Sequence, residues 1–101
     1  MDYHGVEVPE EAVAEFCRCN HIRRLSLFGS ILRVDFSPES DVDVLVEFEP
    51  GHVPGLLRMA SLESELSEIV GRKVDMRTAA ELSRHFREQV IREARPQYVH
   101  S

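Results

Sequence analysis

Two aspartates, Asp41 and Asp43, stand at alternate positions of a valine-rich run, DVDVLVEF, which otherwise has the composition of a buried strand. Alternate residues of a strand project from the same face, with their Cα atoms about 6.5–7 Å apart. Two carboxylates so placed repel each other and resist burial, unless a divalent cation lies between them. Oxygen ligands of this kind suit Mg²⁺, which takes phosphate oxygens as further ligands. The pair therefore predicts a magnesium site for phosphate chemistry.

A Gly-Ser pair, Gly29-Ser30, precedes Asp41 by ten intervening residues and ends the apolar run IRRLSLF. Gly29 has no side chain, so a phosphate can approach the backbone closely. Ser30 offers a hydroxyl group and a helix N-cap, whose free N–H groups would point at the same anion. Arg33 lies about one helical turn further on and is the best placed cation for a phosphate. The pair alone is also typical of an ordinary strand-to-helix turn.

A third carboxylate, Asp75, lies in the short apolar run RKVDMRT. If this strand pairs with the strand of Asp43, the two side chains share one face, because neighbouring strands are roughly 5 Å apart. Three carboxylates that converge on one point are the ligand set of a two-metal phosphoryl-transfer site. The alternative is a solvent-facing aspartate on an edge strand.

The helices and strands that position these residues are predicted from the spacing of apolar residues and from the Gly and Pro residues at the element ends. Helical spacing of apolar residues alternates with short β-type runs, in the order α-β-(α)-β-α-β-α. This order predicts an α/β (α+β) fold with a small mixed sheet flanked by helices, most simply on one side. The predicted helices are 9–20, a short one opened by GSILR, 56–70 and about 80–95, and the predicted strands are 22–28, 41–48 and 72–78.

Length and composition narrow the function classes. The chain has 101 residues, so we expect one domain, 1–101. A net charge of −6 argues against a nucleic-acid partner, which needs a basic surface. No apolar run is long enough to span a bilayer, so we expect no membrane partner and a cytoplasmic location. Cys17 and Cys19 are too close for a structural bridge and are expected to be reduced thiols, with Cys17 in the core.

Together these residues resemble a known family. Gly29-Ser30, ten residues and then Asp41-Val42-Asp43 match the signature of the DNA polymerase β-like nucleotidyltransferase superfamily. The short chain and the run SDVDVLVEF resemble its minimal nucleotidyltransferases, the antitoxins that are encoded beside HEPN-domain toxins. The element order matches over nearly the whole chain, so the resemblance implies the nucleotidyltransferase fold.

The resemblance also implies roles for individual residues. Asp41 and Asp43 would bind two Mg²⁺ ions that hold the triphosphate of ATP, and Asp75 would bind one metal and help to activate an attacking hydroxyl group. Gly29 and Ser30 would hold the β- and γ-phosphates. The reaction would pass AMP to a hydroxyl group and release pyrophosphate. The acceptor implied by the family is a tyrosine of the partner HEPN toxin.

Two other functions remain open. The run GSILRV departs from the family's frequent GS-x-A-R-G at Leu32 and Val34, and a β-branched residue at position 34 restricts the backbone. A less open phosphate loop favours a binding-only antitoxin that neutralises its toxin by occlusion. The second alternative is nucleotidyl transfer to a small molecule, for which a partner subunit would have to complete the site.

Overall fold

The computed structural model describes residues 2–3, 6–29 and 40–100, with side chains from residue 8 onward. The helices and strands expected in this part of the chain are present within a few residues of their expected bounds, except that the last helix is divided in two. The helices are α1 (Glu10–Cys19), α2 (Leu56–Val70), a short 3-10 helix (Ala79–Glu81) and α3 (Arg84–Glu93). The strands are β1 (Asp2–Tyr3), β2 (Val6–Glu7), β3 (Ile22–Phe28), β4 (Val42–Phe48), β5 (Val74–Thr78) and β6 (Arg95–Val99).

Four strands form the central sheet, in the order β5-β4-β3-β6. β3 pairs antiparallel with β4 and with β6, whereas β4 and β5 run parallel. Parallel neighbours need a crossover connection, and α2 supplies it. The short strands β1 and β2 form a separate antiparallel pair. The structure thus confirms the expected mixed sheet flanked by helices.

The hydrophobic core lies on one face of this sheet. Alternate residues of β4, namely Val42, Val44 and Val46, are buried, and the residues between them are more exposed. α1 and α2 pack on this face with residues spaced at helical periods, which include Phe16 and Leu62. The intervening residues of β4, Asp43 among them, therefore point to the opposite face.

The C-terminal part of the chain differs from the expectation. The helix expected at about 80–95 is split into the 3-10 helix and α3, and none of the residues of α3 is buried. Phe86 lies on an apolar i, i+4 row with Val90, which is the pattern of a packed helix face, but it is 61% exposed. Pro96 comes shortly after the end of α3 and lies within β6. A proline is tolerated there because β6 is an edge strand, where a missing N–H leaves no ladder bond unmade.

The two cysteines are free thiols, as expected. Cys17 is fully buried on α1, and Cys19 is exposed. Burial raises the pKa of the Cys17 thiol to about 12, because a thiolate is poorly solvated in an apolar interior.

No helix in the described part of the chain combines the length and the apolar character that a membrane crossing requires.

Candidate active site

Asp43 and Asp75 are direct neighbours in the sheet. The parallel register of β4 and β5 places Asp43 opposite Asp75, and Val44 opposite Met76. Since Val44 and Met76 are buried in the core, both aspartates project from the other face. Adjacent strands are about 4.8 Å apart, so the two carboxyl groups share one small region of the surface. The sequence predicted that Asp43 and Asp75 share one face if their two strands pair. The register shows that these strands do pair.

Asp41 lies one residue before β4, and two contacts fix its surroundings. Arg72 donates from Nη2 to the carbonyl oxygen of Ser40, at 2.7 Å, which ties the entry of β4 to the segment before β5. Lys73 places its Nζ 3.8 Å from Oδ2 of Asp41. The side chain of Lys73 is 79% exposed and that of Asp41 is 42% exposed, so this ion pair is weak in water.

Gly29 leaves room for the carboxyl group of Asp43. β3 ends at Phe28, which pairs with Asp43, so the next residue in the chain lies beside that side chain. A Cβ atom at Gly29 would lie 3.1 Å from Cγ of Asp43 and closer still to Oδ2. Gly29 also has a φ of +72°, a conformation that side chains disfavour. Glycine is therefore required here by both the backbone and the neighbouring carboxylate.

The strand that carries Asp75 is held in place by α2. Among the described residues β5 lies at the edge of the sheet, and no described strand pairs with its N–H groups at Val74 and Met76. Ser67 Oγ accepts from the N–H of Val74 at 2.9 Å, and Glu63 Oε2 accepts from that of Met76 at 2.7 Å. These side-chain acceptors satisfy two buried donors and cover the free edge. They fix β5 against α2 and so help to keep Asp75 beside Asp43.

Arg77 is a site residue that the sequence analysis did not identify. It lies two residues after Asp75 on β5 and therefore on the same face. Its Nε donates to Oδ1 of Asp75 at 3.1 Å and its Nη2 to Oδ2 at 3.3 Å, a two-pronged ion pair. The hydrogen bonds and charge of Asp75 raise the pKa of Arg77 above its ordinary value, with smaller contributions from Glu81 and Asp43. The spacing Asp-x-Arg within a strand was the signal that could have revealed it.

The chemistry of these side chains fits a hard divalent cation. Asp41, Asp43 and Asp75 offer only oxygen ligands, on the partly exposed face of the sheet. Within residues 8–29 and 40–100, however, no three His, Cys, Asp or Glu side chains are already gathered to hold a metal ion. The carboxyl groups of Asp41 and Asp75 are instead turned to Lys73 and Arg77. A metal would have to compete with these cations, and the roles of the three aspartates as ligands stay predictions.

A cavity of about 330 Å³ opens on the same face of the sheet. Ser26 and Leu45 form part of its lining, together with Ile91 of α3 and Ala94, which follows that helix. Leu45 follows Asp43 by two residues on the same strand face, about 6.5–7 Å along β4, and none of the three aspartates lines the cavity. Its volume suits a small organic group such as an aromatic ring or a nucleobase.

Two of the residues expected to bind phosphate, Ser30 and Arg33, lie outside the described residues. The helix expected to begin at GSILR, with Leu32 and Val34, also lies there.

Fold and site together define a nucleotidyltransferase. The sequence profile of the nucleotidyltransferase domain matches residues 10–98, and the chain therefore belongs to this family. The expectation of a nucleotidyltransferase enzyme is confirmed, as is the resemblance to the minimal nucleotidyltransferases.

Individual relatives agree with this assignment. The chain is 36% identical over 72 residues to the protein adenylyltransferase MntA of Thermococcus cleftensis, covering 71% of each chain. It is 39% identical to a solved structure described as a minimal nucleotidyltransferase, with a TM-score of 0.69. This match covers 84% of the present chain and 85% of the other.

A more distant structure has the same fold. It contains the tri-AMPylated HEPN toxin of Shewanella oneidensis in complex with its MNT antitoxin, and the match is 20% identical with a TM-score of 0.64. The alignment covers 89% of this chain and 69% of that one.

Proposed function

We propose that this chain transfers AMP from ATP to a tyrosine hydroxyl group of a partner HEPN-type toxin and thereby acts as its antitoxin. The observation that carries the proposal is the register of β4 and β5, which places Asp43 and Asp75 side by side next to Gly29. The naming of the Thermococcus relative as a protein adenylyltransferase supports AMP transfer to a protein. The AMPylated HEPN toxin bound to an MNT antitoxin supports the kind of partner.

In this proposal residues 1–101 act as one minimal domain in the cytoplasm, where ATP is available. Asp41, Asp43 and Asp75 hold Mg²⁺, most simply two ions. Bound magnesium would supply positive charge to neutralise the triphosphate and to lower the pKa of the acceptor hydroxyl group. Gly29 and Ser30 bind the phosphates through the backbone and the hydroxyl group, and Arg33 adds a cation.

The transfer itself is a substitution at the α-phosphorus of ATP. The hydroxyl oxygen of the acceptor forms a bond to this phosphorus while the bond to the bridging oxygen of the β-phosphate breaks. Pyrophosphate leaves with the bonding electrons, and the proton of the hydroxyl group passes to a nearby base, for which Asp75 is the candidate. The products are the AMP ester of tyrosine and pyrophosphate.

An acceptor from outside the chain fits the exposure of the site. The side chains of Asp41 and Asp75 are 42% and 33% exposed, so a tyrosine on a partner's surface can approach them. The adjoining cavity, which Leu45 helps to line, provides space for an aromatic ring of the acceptor or for the adenine of ATP.

The test uses ATP labelled on the α-phosphate, Mg²⁺, the full chain and the HEPN-type protein encoded beside it. We expect label on the partner with the unmutated chain and none with Asp43→Asn, while ATP labelled on the γ-phosphate gives no label in either case. Glu68→Gln is the matched control, because Glu68 is an exposed acid of α2 that does not line the cavity. It should transfer as well as the unmutated chain. Replacement of the acceptor tyrosine by Phe in the partner should remove the label.

Other outcomes point to the two alternative functions. A stable complex with the partner but no label, with neutralisation retained by Asp43→Asn, would establish occlusion instead of catalysis. Label in a small-molecule fraction and none on the partner would establish transfer to a small molecule.

A further inference from the structure

Arg77 occupies a central position on the site face of the sheet. On β5 it follows Asp75 by two residues, and in the register with β4 it lies opposite Leu45. It is therefore the strand neighbour of Leu45, which helps to line the cavity. Its two hydrogen bonds to Asp75, at 3.1 and 3.3 Å, use both oxygens of that carboxyl group.

This ion pair brings a positive charge to two neighbouring carboxylates. Asp43 and Asp75 are neighbours in register, and two carboxylates at this spacing repel each other. The guanidinium group of Arg77 offsets this repulsion, and its planar fork fixes the carboxyl group of Asp75 in one orientation. It also places a positive charge close to the position where a cation shared by Asp43 and Asp75 would lie.

We propose that Arg77 is a positioning residue that holds the carboxyl group of Asp75 in the metal-free protein and yields it when a divalent cation binds. This inference rests on the proposed function, since it assumes that Asp75 is a metal ligand. The cation carries twice the charge of the guanidinium group, so it competes successfully at sufficient concentration. Arg77 thereby sets the concentration of free cation at which the site fills, and its removal makes the site fill at a lower concentration.

The second cation near the site is expected to act more weakly. Lys73 contacts one oxygen of Asp41 at 3.8 Å and is 79% exposed, whereas Arg77 makes two shorter contacts and is 47% exposed. Water and salt screen the Lys73 pair more strongly. Arg77 is therefore the cation whose loss should change metal binding most.

The experiment measures binding of Mn²⁺ to the full chain without nucleotide, from the electron paramagnetic resonance signal of the free ion. We expect Arg77→Gln to lower the dissociation constant by roughly threefold to tenfold. Arg77→Lys restores the positive charge and should lie closer to the unmutated chain than Arg77→Gln does. Lys73→Gln should change the constant by less than about twofold. Arg84→Gln, an exposed arginine on α3, controls for the change in net charge and should have no effect.

The outcomes separate this inference from the proposed function. If the unmutated chain binds Mn²⁺, Asp43→Asn does not, and Arg77→Gln binds equally or more weakly, the Arg77 inference is wrong while the metal site stands. If neither the unmutated chain nor Arg77→Gln binds Mn²⁺ without nucleotide, the Arg77 inference is overturned, while the proposed function, in which the phosphates of ATP supply further metal ligands, is decided by the label-transfer test. Urea unfolding of each variant verifies that the folded protein is being titrated.

Discussion

The carboxylate of Glu63 on α2 accepts the backbone N–H of Met76 on β5, at 2.7 Å. This hydrogen bond joins a helix to the edge strand that carries Asp75, and Met76 itself is buried. A side-chain carboxylate of α2 thus accepts the hydrogen bond that a further strand would otherwise accept. The structural support of the site therefore extends beyond the residues expected to perform the chemistry.

Removal of this acceptor should destabilise the protein. In Glu63→Ala the buried N–H of Met76 loses its partner, and we expect the free energy of unfolding to fall by about 1–3 kcal/mol. Urea unfolding followed by circular dichroism measures the change. Glu63→Gln keeps an acceptor oxygen and should lose much less. Glu68→Ala, an exposed glutamate of the same helix, should stay within about 0.5 kcal/mol. Equal losses in Glu63→Ala and Glu68→Ala would show that the hydrogen bond does not anchor β5.

The close approach of Gly29 to Asp43 predicts a selective loss of activity. Gly29→Ala places a methyl group against the carboxyl group of Asp43 and strains a backbone with a φ of +72°. We expect AMP transfer to fall by roughly 100-fold, because displacing a reacting group by about 1 Å has effects of that size.

Gly71→Ala provides the matched control for this substitution. Gly71 also has a positive φ, +79°, but nothing lies within 4 Å of an added Cβ atom. Both variants should lose about 1–2 kcal/mol of stability from the backbone alone, and only Gly29→Ala should lose transfer. A similar loss of transfer in both variants would assign the effect to stability instead of to the position of Asp43.

The buried thiol of Cys17 predicts a pH dependence of stability. The pKa of this thiol is raised from about 9 to about 12 in the folded protein. Between these values the unfolded chain loses the proton while the folded chain keeps it, so the folded state binds more protons. Its contribution is therefore fully present below pH 9 and is lost as the pH rises toward 12, with a limiting slope of about 1.4 kcal/mol per pH unit.

Urea unfolding at pH 7, 9 and 10.5 checks this dependence. Cys17→Ala should show a shallower decline above pH 9 than the unmutated chain, although it starts from a lower stability. Cys19 is exposed, so Cys19→Ala should keep the steeper decline. Identical slopes in all three proteins would contradict the assignment to Cys17.

The hydrogen bond from Arg72 to the carbonyl oxygen of Ser40 should position Asp41. Arg72→Ala removes the contact that ties the residue before Asp41 to the segment before β5. We expect AMP transfer to fall by up to about tenfold, as the carboxyl group of Asp41 loses its fixed position. Steady-state rates with labelled ATP measure the change, and Arg84→Ala is the control for loss of an exposed arginine. Transfer rates that match in the two variants would contradict a role for the Ser40 contact.

The sequence by itself determined the elements whose signals are local. Apolar spacing and the glycine that follows it, Gly71, predict α2 with the bounds that the structure shows, Leu56–Val70. The β-type run 22–28 likewise matches β3. The alternation of Asp43 with buried valines placed its carboxylate on the face opposite the core, because the period of a strand is two residues, whereas a shared face for Asp41, which precedes β4, stays a prediction. The spacing between Gly29-Ser30 and these aspartates was sufficient to indicate the family.

Tertiary structure decided the relationships between elements. The register that sets Asp75 beside Asp43, and the two hydrogen bonds from α2 that hold β5, join residues far apart in sequence and leave no periodic signal. The exposure of Phe86 on α3 has the same origin, since an apolar helical row packs only if a surface is available to it. Local periodicity determines which face of a helix or strand a residue occupies. Strand pairing and packing determine which residues of other elements that face contacts.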